Sequence, residues 1–232
     1  RQNWDGGFRY WDEAARSSPY LTAWVTFAWL EGKKAGFKVD EQAIDRAMNY
    51  LDNFVRNGEA TPWGRYYDHT SRAFALWLLS RDGKGADLFD RIYAKRKEIP
   101  LYAHALLMST AHRYGLSSQR EALLREFRAK VVENAKTAHF AESAREEDAY
   151  GLQVLMHSDV QTDAIALMAL LEVVPDDPLL PKVMAGIMDD RDPQKGGQWG
   201  TTHANAWALL AAGRYFTAIE KEVPYSLSAG AR

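Results

Sequence analysis

Cysteine is absent from this chain of 232 residues, so disulfides, thiolate zinc sites, iron–sulfur clusters and a cysteine nucleophile are excluded within it. Cysteine usage therefore leaves the compartment undetermined. A basic block is missing as well. Lys+Arg number 29 against 31 Asp+Glu, a formal charge of -2, and without a stripe of positive charge to neutralise phosphates, nucleic acid is not an expected partner. No apolar run approaches the roughly 20 residues that cross a membrane, and the first residues lack the basic-then-apolar build of a signal peptide. An initiator Met is also lacking, from which we expect a piece of a longer protein.

What is present is hydrophobic and aromatic. With 47% hydrophobic residues and 8 Trp the chain can bury a substantial core in one large domain. It opens on "RQNWDGGFRYW", in which rings crowd around Asp5-Gly6-Gly7 without helical or strand period. Such a run reads as a corner crossing the end of a packed core, where glycines bend the backbone and the rings seek burial. Trp-Gly recurs in "TPWGRYYDHT" (62–70) and "GGQWGTTHANAW" (196–207), each time just ahead of an apolar stretch.

Between these corners the chain reads as helix pairs. "SSPYLTAWVTFAWLEGKKAG" has a Ser18 cap, Pro19 in the first turn and a Gly36 stop, and its middle is apolar nearly all round, the mark of a helix buried on every side. The segment from Asp40 spaces Ile44, Ala47, Met48, Leu51 and Val55 at helical intervals, as an outer helix does. The alternation continues: inner helices are expected near 20–32, 71–80, 100–113, 160–173 and 202–218. Outer, amphipathic ones are expected at 86–97, at 117–135 with a Ser118-x-x-Glu121 capping box and a Leu124, Phe127, Val131 stripe, and at 177–190 with Asp177 as cap. No convincing strand pattern is found. The expected fold is all-α, an α/α toroid of helical hairpins with a period of roughly 45 residues.

The runs "DGGFRYW", "SSPYLTAWVTFAWLEGKKAGF", "HSDVQTDAIALMALL" and "GGQWGTTHANAWALLAAGRYF" resemble the thioester domain of bacterial α2-macroglobulins, relatives of the complement thioester proteins. The resemblance spans Arg1 to Ile219. It implies a domain over 1–220 with 221–232 as exit linker, proteases and neighbouring domains of the same chain as partners, no cofactor, no enzymatic activity of its own, and a periplasmic or cell-envelope location, with membrane contact only through a lipid anchor of the parent. The family's reactive group is an internal thioester within Cys-x-x-Gln on a helix pair upstream of the Asp-Gly-Gly-Phe corner. Without a cysteine, the ring is expected to be incomplete, with the corner rings Trp4, Phe8, Trp11, Trp63, Tyr66 and Trp199 shielding the place of the acyl group from water.

His69 lies roughly where complement proteins carry the histidine that relays the acyl group, and a neutral imidazole is a nucleophile near pH 7. Against this stands a helix-start hydrogen-bonding role for Asp68, His69 and Thr70. His203 occupies an analogous corner. His104 and His112 have no acidic partner at ligand spacing and read as core or rim residues, while His139 and His157 flank the acidic stretch 141–150, read as solvated or touching a neighbouring domain. Asp189, Asp190 and Asp192 before Pro193 read as a solvated exit turn. The rival reading is a toroidal enzyme acting on carbohydrate or isoprenoid, for which Asp5, Asp68 and Glu142 are the available carboxylates.

Overall fold

A computed structural model of the chain describes residues 1–11, 16–140, 142 and 149–219, with side chains at all of these but 149 and 195. Ten α-helices form among them: α1 (Pro19–Lys34), α2 (Glu41–Asn57), α3 (Arg65–Leu79), α4 (Phe89–Tyr93), α5 (Leu101–Arg113), α6 (Ser117–Arg128), α7 (Ala149–Val154), α8 (Asp159–Val173), α9 (Leu179–Asp189) and α10 (Thr202–Ile219). Capping residues start several of them. The Ser18 hydroxyl accepts from the Leu21 amide at 3.2 Å with Pro19 in the first turn, and the Asp40 carboxylate accepts from the Ala43 amide at 3.0 Å. Ser158 does the same for Gln161 at the head of α8. Each such cap satisfies an orphan amide and stabilises its helix by about 1 kcal/mol. Asp177 accepts from the Leu179 amide at 3.0 Å, ahead of α9.

Five helices, α1, α3, α5, α8 and α10, stand side by side in that order, each packed on the next. They run in the same direction, because their first turns meet at one end and their last turns at the other. At the first end Ser18 Oγ and Tyr67 Oη are 2.8 Å apart, joining α1 to α3, and Gln161 Nε2 reaches Tyr20 Oη at 3.4 Å, joining α8 to α1. At the other end Glu31 of α1 pairs with Arg81 at 2.9 Å and with Arg214 of α10 at 2.8 Å, while Arg113 of α5 pairs with Glu172 of α8 at 2.6 Å. The Arg214 and Arg81 guanidinium groups overcome partial burial and hold the Glu31 carboxyl below its ordinary pKa. Outside this row, α2 packs on α1 and α3, α6 on α5, and α9 on α8.

The row bends into a ring that stays open between α10 and α1. These two helices meet mainly through side chains: Trp207 stacks on Trp24 and on Phe27, with ring centroids 4.9 Å apart in each case. Away from that contact both keep apolar residues in solvent. On α1 the stripe is Leu21, Val25 and Ala28, half-buried to exposed; on α10 it is Ala206, Leu209, Gly213 and Phe216, all exposed. Burial of α1 on every side, expected from its composition, therefore fails, because its face toward the opening has no neighbour among the described residues.

Other expectations are overturned by local chemistry. α6 ends at Arg128, buries Leu123 and Phe127, and starts without a side-chain cap, so the Ser118 capping box does not form. Val131 instead opens β1 (Val131–Glu133), which pairs antiparallel with β2 (Ala138–Phe140). The Asn134 side-chain oxygen accepts from the amides of Lys136 and Thr137, at 2.7 and 2.8 Å, and so stabilises the turn that joins the two strands. Residues 86–97 break into α4 and flanking 3₁₀ turns. α3 starts six residues before the expected position, at Arg65, which places Tyr66, Asp68 and His69 inside the helix. Residues 221–232, read as an exit linker, and all of the acidic stretch 141–150 except Glu142, Ala149 and Tyr150 lie outside the described residues.

Candidate functional site

The first-turn end of the ring gathers most of the residues singled out in the sequence. The opening run straps this end. Gln2 Nε2 donates to the Ala43 carbonyl of α2 at 2.8 Å, the Phe8 amide donates to Thr22 Oγ1 of α1 at 2.8 Å, and the buried Phe8 ring meets Trp29 edge-on at 5.3 Å. Trp63 and Tyr66 are half-buried, Trp63 lying 4.8 Å from the Tyr67 ring. Trp199 is buried against the C-terminal end of α9, its indole donating to the Ile187 carbonyl. Trp63-Gly64 and Trp199-Gly200 are matching corners: both glycines adopt positive φ, at 87° and 72°, immediately before α3 and α10. Trp4 and Trp11 depart from expectation. They are 96% and 74% exposed. Trp4 joins Tyr50, Phe54, Trp63 and Asp5 around an open cleft of about 770 Å³.

His69 follows Tyr67 by two residues, and a step of two along a helix turns the side chain to the other side. Tyr67 points inward to Ser18, whereas His69 turns outward, with Nε2 3.4 Å from Glu98 Oε2. Burial lowers its pKa and keeps the ring neutral. Beside it the Asp68 carboxylate accepts from the Thr61 amide at 3.0 Å and from Thr61 Oγ1 at 2.6 Å, closing the turn before α3. Of the helix-start role read for Asp68, His69 and Thr70, only Asp68 fills it: His69 and Thr70 lie inside α3, with Thr70 Oγ1 donating to the Tyr66 carbonyl at 2.7 Å. Asp5 likewise accepts from the Gly7 amide and Ser17 Oγ, at 2.9 and 2.8 Å. Asp5 and Asp68, two of the three carboxylates available to a toroidal glycosidase, are thus tied into local turns.

Beneath the aromatic rim lies a layer of polar residues whose three tyrosines the sequence analysis did not single out. Tyr20, Tyr67 and Tyr102 occupy the second, third and second positions of α1, α3 and α5. Burial pushes all three phenols well up, so they remain protonated. Burial also lowers His157, whose ring stacks on Tyr102 at 6.0 Å, and His203, to about 4. The Met156 backbone is close enough to act on His203. Even so, His203 Nδ1 and Gln161 Oε1 are buried with no partner of hydrogen-bond geometry among the described residues. An unpaired buried polar atom costs about 1–3 kcal/mol, and such atoms call for an explanation. Glu142 stands here too, accepting from the Leu101 amide at 2.6 Å and lying 3.9 Å from His157 Nε2. This end is apolar and mostly neutral, chemistry suited to keeping water from a labile group. A repeated tyrosine just inside each helix start, "PY", "RYY" and "LY", was the signal available in the sequence.

His104 contacts the Leu123 carbonyl at 3.3 Å and lies in the core. Among the described residues one group has metal-ligand spacing: His139 with Asp163 and Asp190, on the side of α8 that faces α9 and the hairpin.

No family model matches the chain. Over 84 residues, 36% of this chain and 4% of the relative, it is 32% identical to an α2-macroglobulin homolog of Yersinia pestis. The likeness of fold extends much further. Native α2-macroglobulin of Escherichia coli, in a structure running from domain MG7 to the C-terminus, superposes with a TM-score of 0.70 over 93% of this chain and 32% of that one, at 18% identity. Salmonella α2-macroglobulin reacted with methylamine gives 0.71 over 92% of this chain and 13% of that one, also at 18% identity. The chain thus spans a small part of the proteins it resembles.

Proposed function

We propose, starting from the chain's kinship with the bacterial α2-macroglobulins, that residues 1–220 form most of a thioester-type domain of a protease-inhibiting protein and that 221–232 lead to its next domain. The observation that supports this best is the open ring. Apolar stripes on α1 and α10 face solvent where one more helix pair would fit, and in the resemblance it is such a pair that carries Cys-x-x-Gln. Packed against these stripes, the pair would complete the first-turn end, where the neutral layer of Tyr20, Tyr67, Tyr102 and His203 would surround the acyl group.

In this reading a protease cleaves a bait region elsewhere in the protein and the thioester is uncovered. A lysine amine of the protease then attacks the acyl carbon, an amide forms and the cysteine thiol leaves. Capture is stoichiometric, so the domain is scaffold and shield rather than enzyme. Phe8, Trp63, Tyr66 and Trp199 supply the packed part of the shield; Trp4 and Trp11 contribute only once another part of the protein covers them. A relay role for His69 rests on resemblance alone; the side chain lies within α3 and turns outward beside Glu98. The working location is the periplasm or cell envelope, again by resemblance.

The test is intact-mass spectrometry after incubation with methylamine or trypsin. This chain by itself should gain no adduct, since without a Cys it cannot form a thioester. A longer form that includes a Cys-x-x-Gln motif should take up methylamine and release one thiol. An adduct on this chain alone would contradict the scaffold role and revive an enzyme.

A further inference from the structure

The hairpin β1–β2 is fastened to the helices by the Phe127–Phe140 stack, by the Lys182–Glu133 pair and by one buried carboxylate. Asp163 sits in the first turns of α8 amid Ala164, Ile165 and Leu167, with its side chain 1% exposed. Its Oδ1 accepts from the Phe140 amide at 2.7 Å, which fixes the orientation of the carboxylate. Its Oδ2 lies 2.8 Å from His139 Nδ1. From the end of α9, Asp190 Oδ2 approaches the same nitrogen at 3.9 Å, and one donor atom from each of the three residues lies within 4.8 Å of the others.

The imidazole orientation is set by packing. A Cβ added at Gly186 of α9 would stand 2.8 Å from His139 Cε1 and 3.0 Å from Nε2, so only a glycine lets the ring lie flat against the helix. Nε2 is thereby directed to α9, and Nδ1 faces the carboxylates.

We propose that His139, Asp163 and Asp190 form a binding site for a divalent cation of the zinc type, which clamps the hairpin to α8 and α9. One nitrogen and two carboxylate oxygens, with water in the remaining positions, suit Zn²⁺, Co²⁺ or Ni²⁺; Mg²⁺ and Ca²⁺ prefer all-oxygen shells. Bond lengths of 2.0–2.2 Å place two ligands of one ion about 3.0–3.4 Å apart. The observed separations of 2.8 and 3.9 Å bracket that range, so small side-chain rotations suffice. The Phe140 amide then plays the orienting role that metal-bound carboxylates commonly receive from outer-shell donors. His139 and Asp190 are 37% and 38% exposed, which leaves the ion a route of entry.

Isothermal titration of the chelator-treated, desalted protein with ZnCl₂ is the direct test. The expected result is one site with micromolar or tighter affinity, a rise in melting temperature with Zn²⁺, and no rise with Mg²⁺. Asp190→Asn, which removes an exposed donor and should fold normally, is expected to weaken binding at least tenfold, and His139→Gln to abolish the site. Circular dichroism of both variants in the absence of metal separates loss of binding from loss of folding. No binding heat with Zn²⁺, or Zn²⁺ binding that both folded variants retain unchanged, would overturn the proposal and leave His139 and Asp163 as a hydrogen-bonded pair that fastens the hairpin. Because this site is independent of the thioester reading, neither result bears on that function.

Discussion

Replacing Trp207 with Ala should cost this chain a large part of its stability, since its ring, together with the Arg214–Glu31 ion pair, joins α10 to α1. Trp207 is 1% exposed; it stacks on Trp24 and Phe27 at interplanar angles of 10° and 15° and lies 6.3 Å from Phe74. Truncating a buried Trp to Ala typically costs about 3–5 kcal/mol through lost transfer energy and the cavity left behind, and well-stacked aromatic pairs add about 0.5–1.5 kcal/mol each. A loss of about 4–8 kcal/mol is therefore expected, against a total of about 5–15 kcal/mol for a typical domain. Trp207→Phe keeps the stack but removes the indole donor to His203 Nε2 at 3.2 Å, and should cost only about 1–2 kcal/mol. Urea unfolding followed by far-ultraviolet circular dichroism measures both, provided the slope of free energy on denaturant is unchanged. A loss below about 1 kcal/mol for Trp207→Ala would show that α10 is held by α8 and α9 alone and that the bridge to α1 is incidental.

Stability should also fall with acid in a window set by His203. Burial lowers its folded pKa to about 4, so the unfolded chain, with a pKa of about 6.5, binds a proton that the folded chain refuses. The contribution is complete above pH 6.5 and shrinks as pH falls to 4, by at most about 3 kcal/mol, and His203→Gln should flatten that part of a plot of urea midpoint against pH. In a longer form that carries a thioester, His69→Ala should leave the ratio of hydroxyl to amine targets unchanged if His69 serves only its contact with Glu98; a shift in that ratio, read by mass spectrometry of the products, would restore the relay.

Much of the ring was legible because its signals are local. Ser18-Pro19 and Asp40 each start a helix through bonds within one turn, and the spacing of Ile44, Ala47, Met48, Leu51 and Val55 maps onto the buried face of α2. The hairpin was missed because Arg120 to Lys130 has the charged, Leu-bearing pattern of a helix, and the turn at Asn134 depends on one side chain choosing backbone amides. Exposure of Trp4 and Trp11 could not be read from their composition: a ring is buried only where another element covers it, and that is a tertiary matter. The grouping of His139 with Asp163 and Asp190 joins residues 24 and 51 positions apart on three elements. Its one sequence signal was Asp163, a carboxylate inside the apolar run "DAIALMALL", which must find a partner when buried.

The central claim, that this is an open ring completed by a further helix pair in a longer protein, is tested most directly by Leu209→Glu measured in two forms. Leu209 is 63% exposed on α10, in the stripe that faces the opening. In this chain alone the charge stays in water, and the unfolding free energy should move by less than about 0.5 kcal/mol. In a longer form the same charge would be buried against the added helices at a cost of about 2–4 kcal/mol, with the melting temperature falling accordingly. Equal, near-zero effects in both forms would mean that nothing packs on α10, and the completed ring would be contradicted.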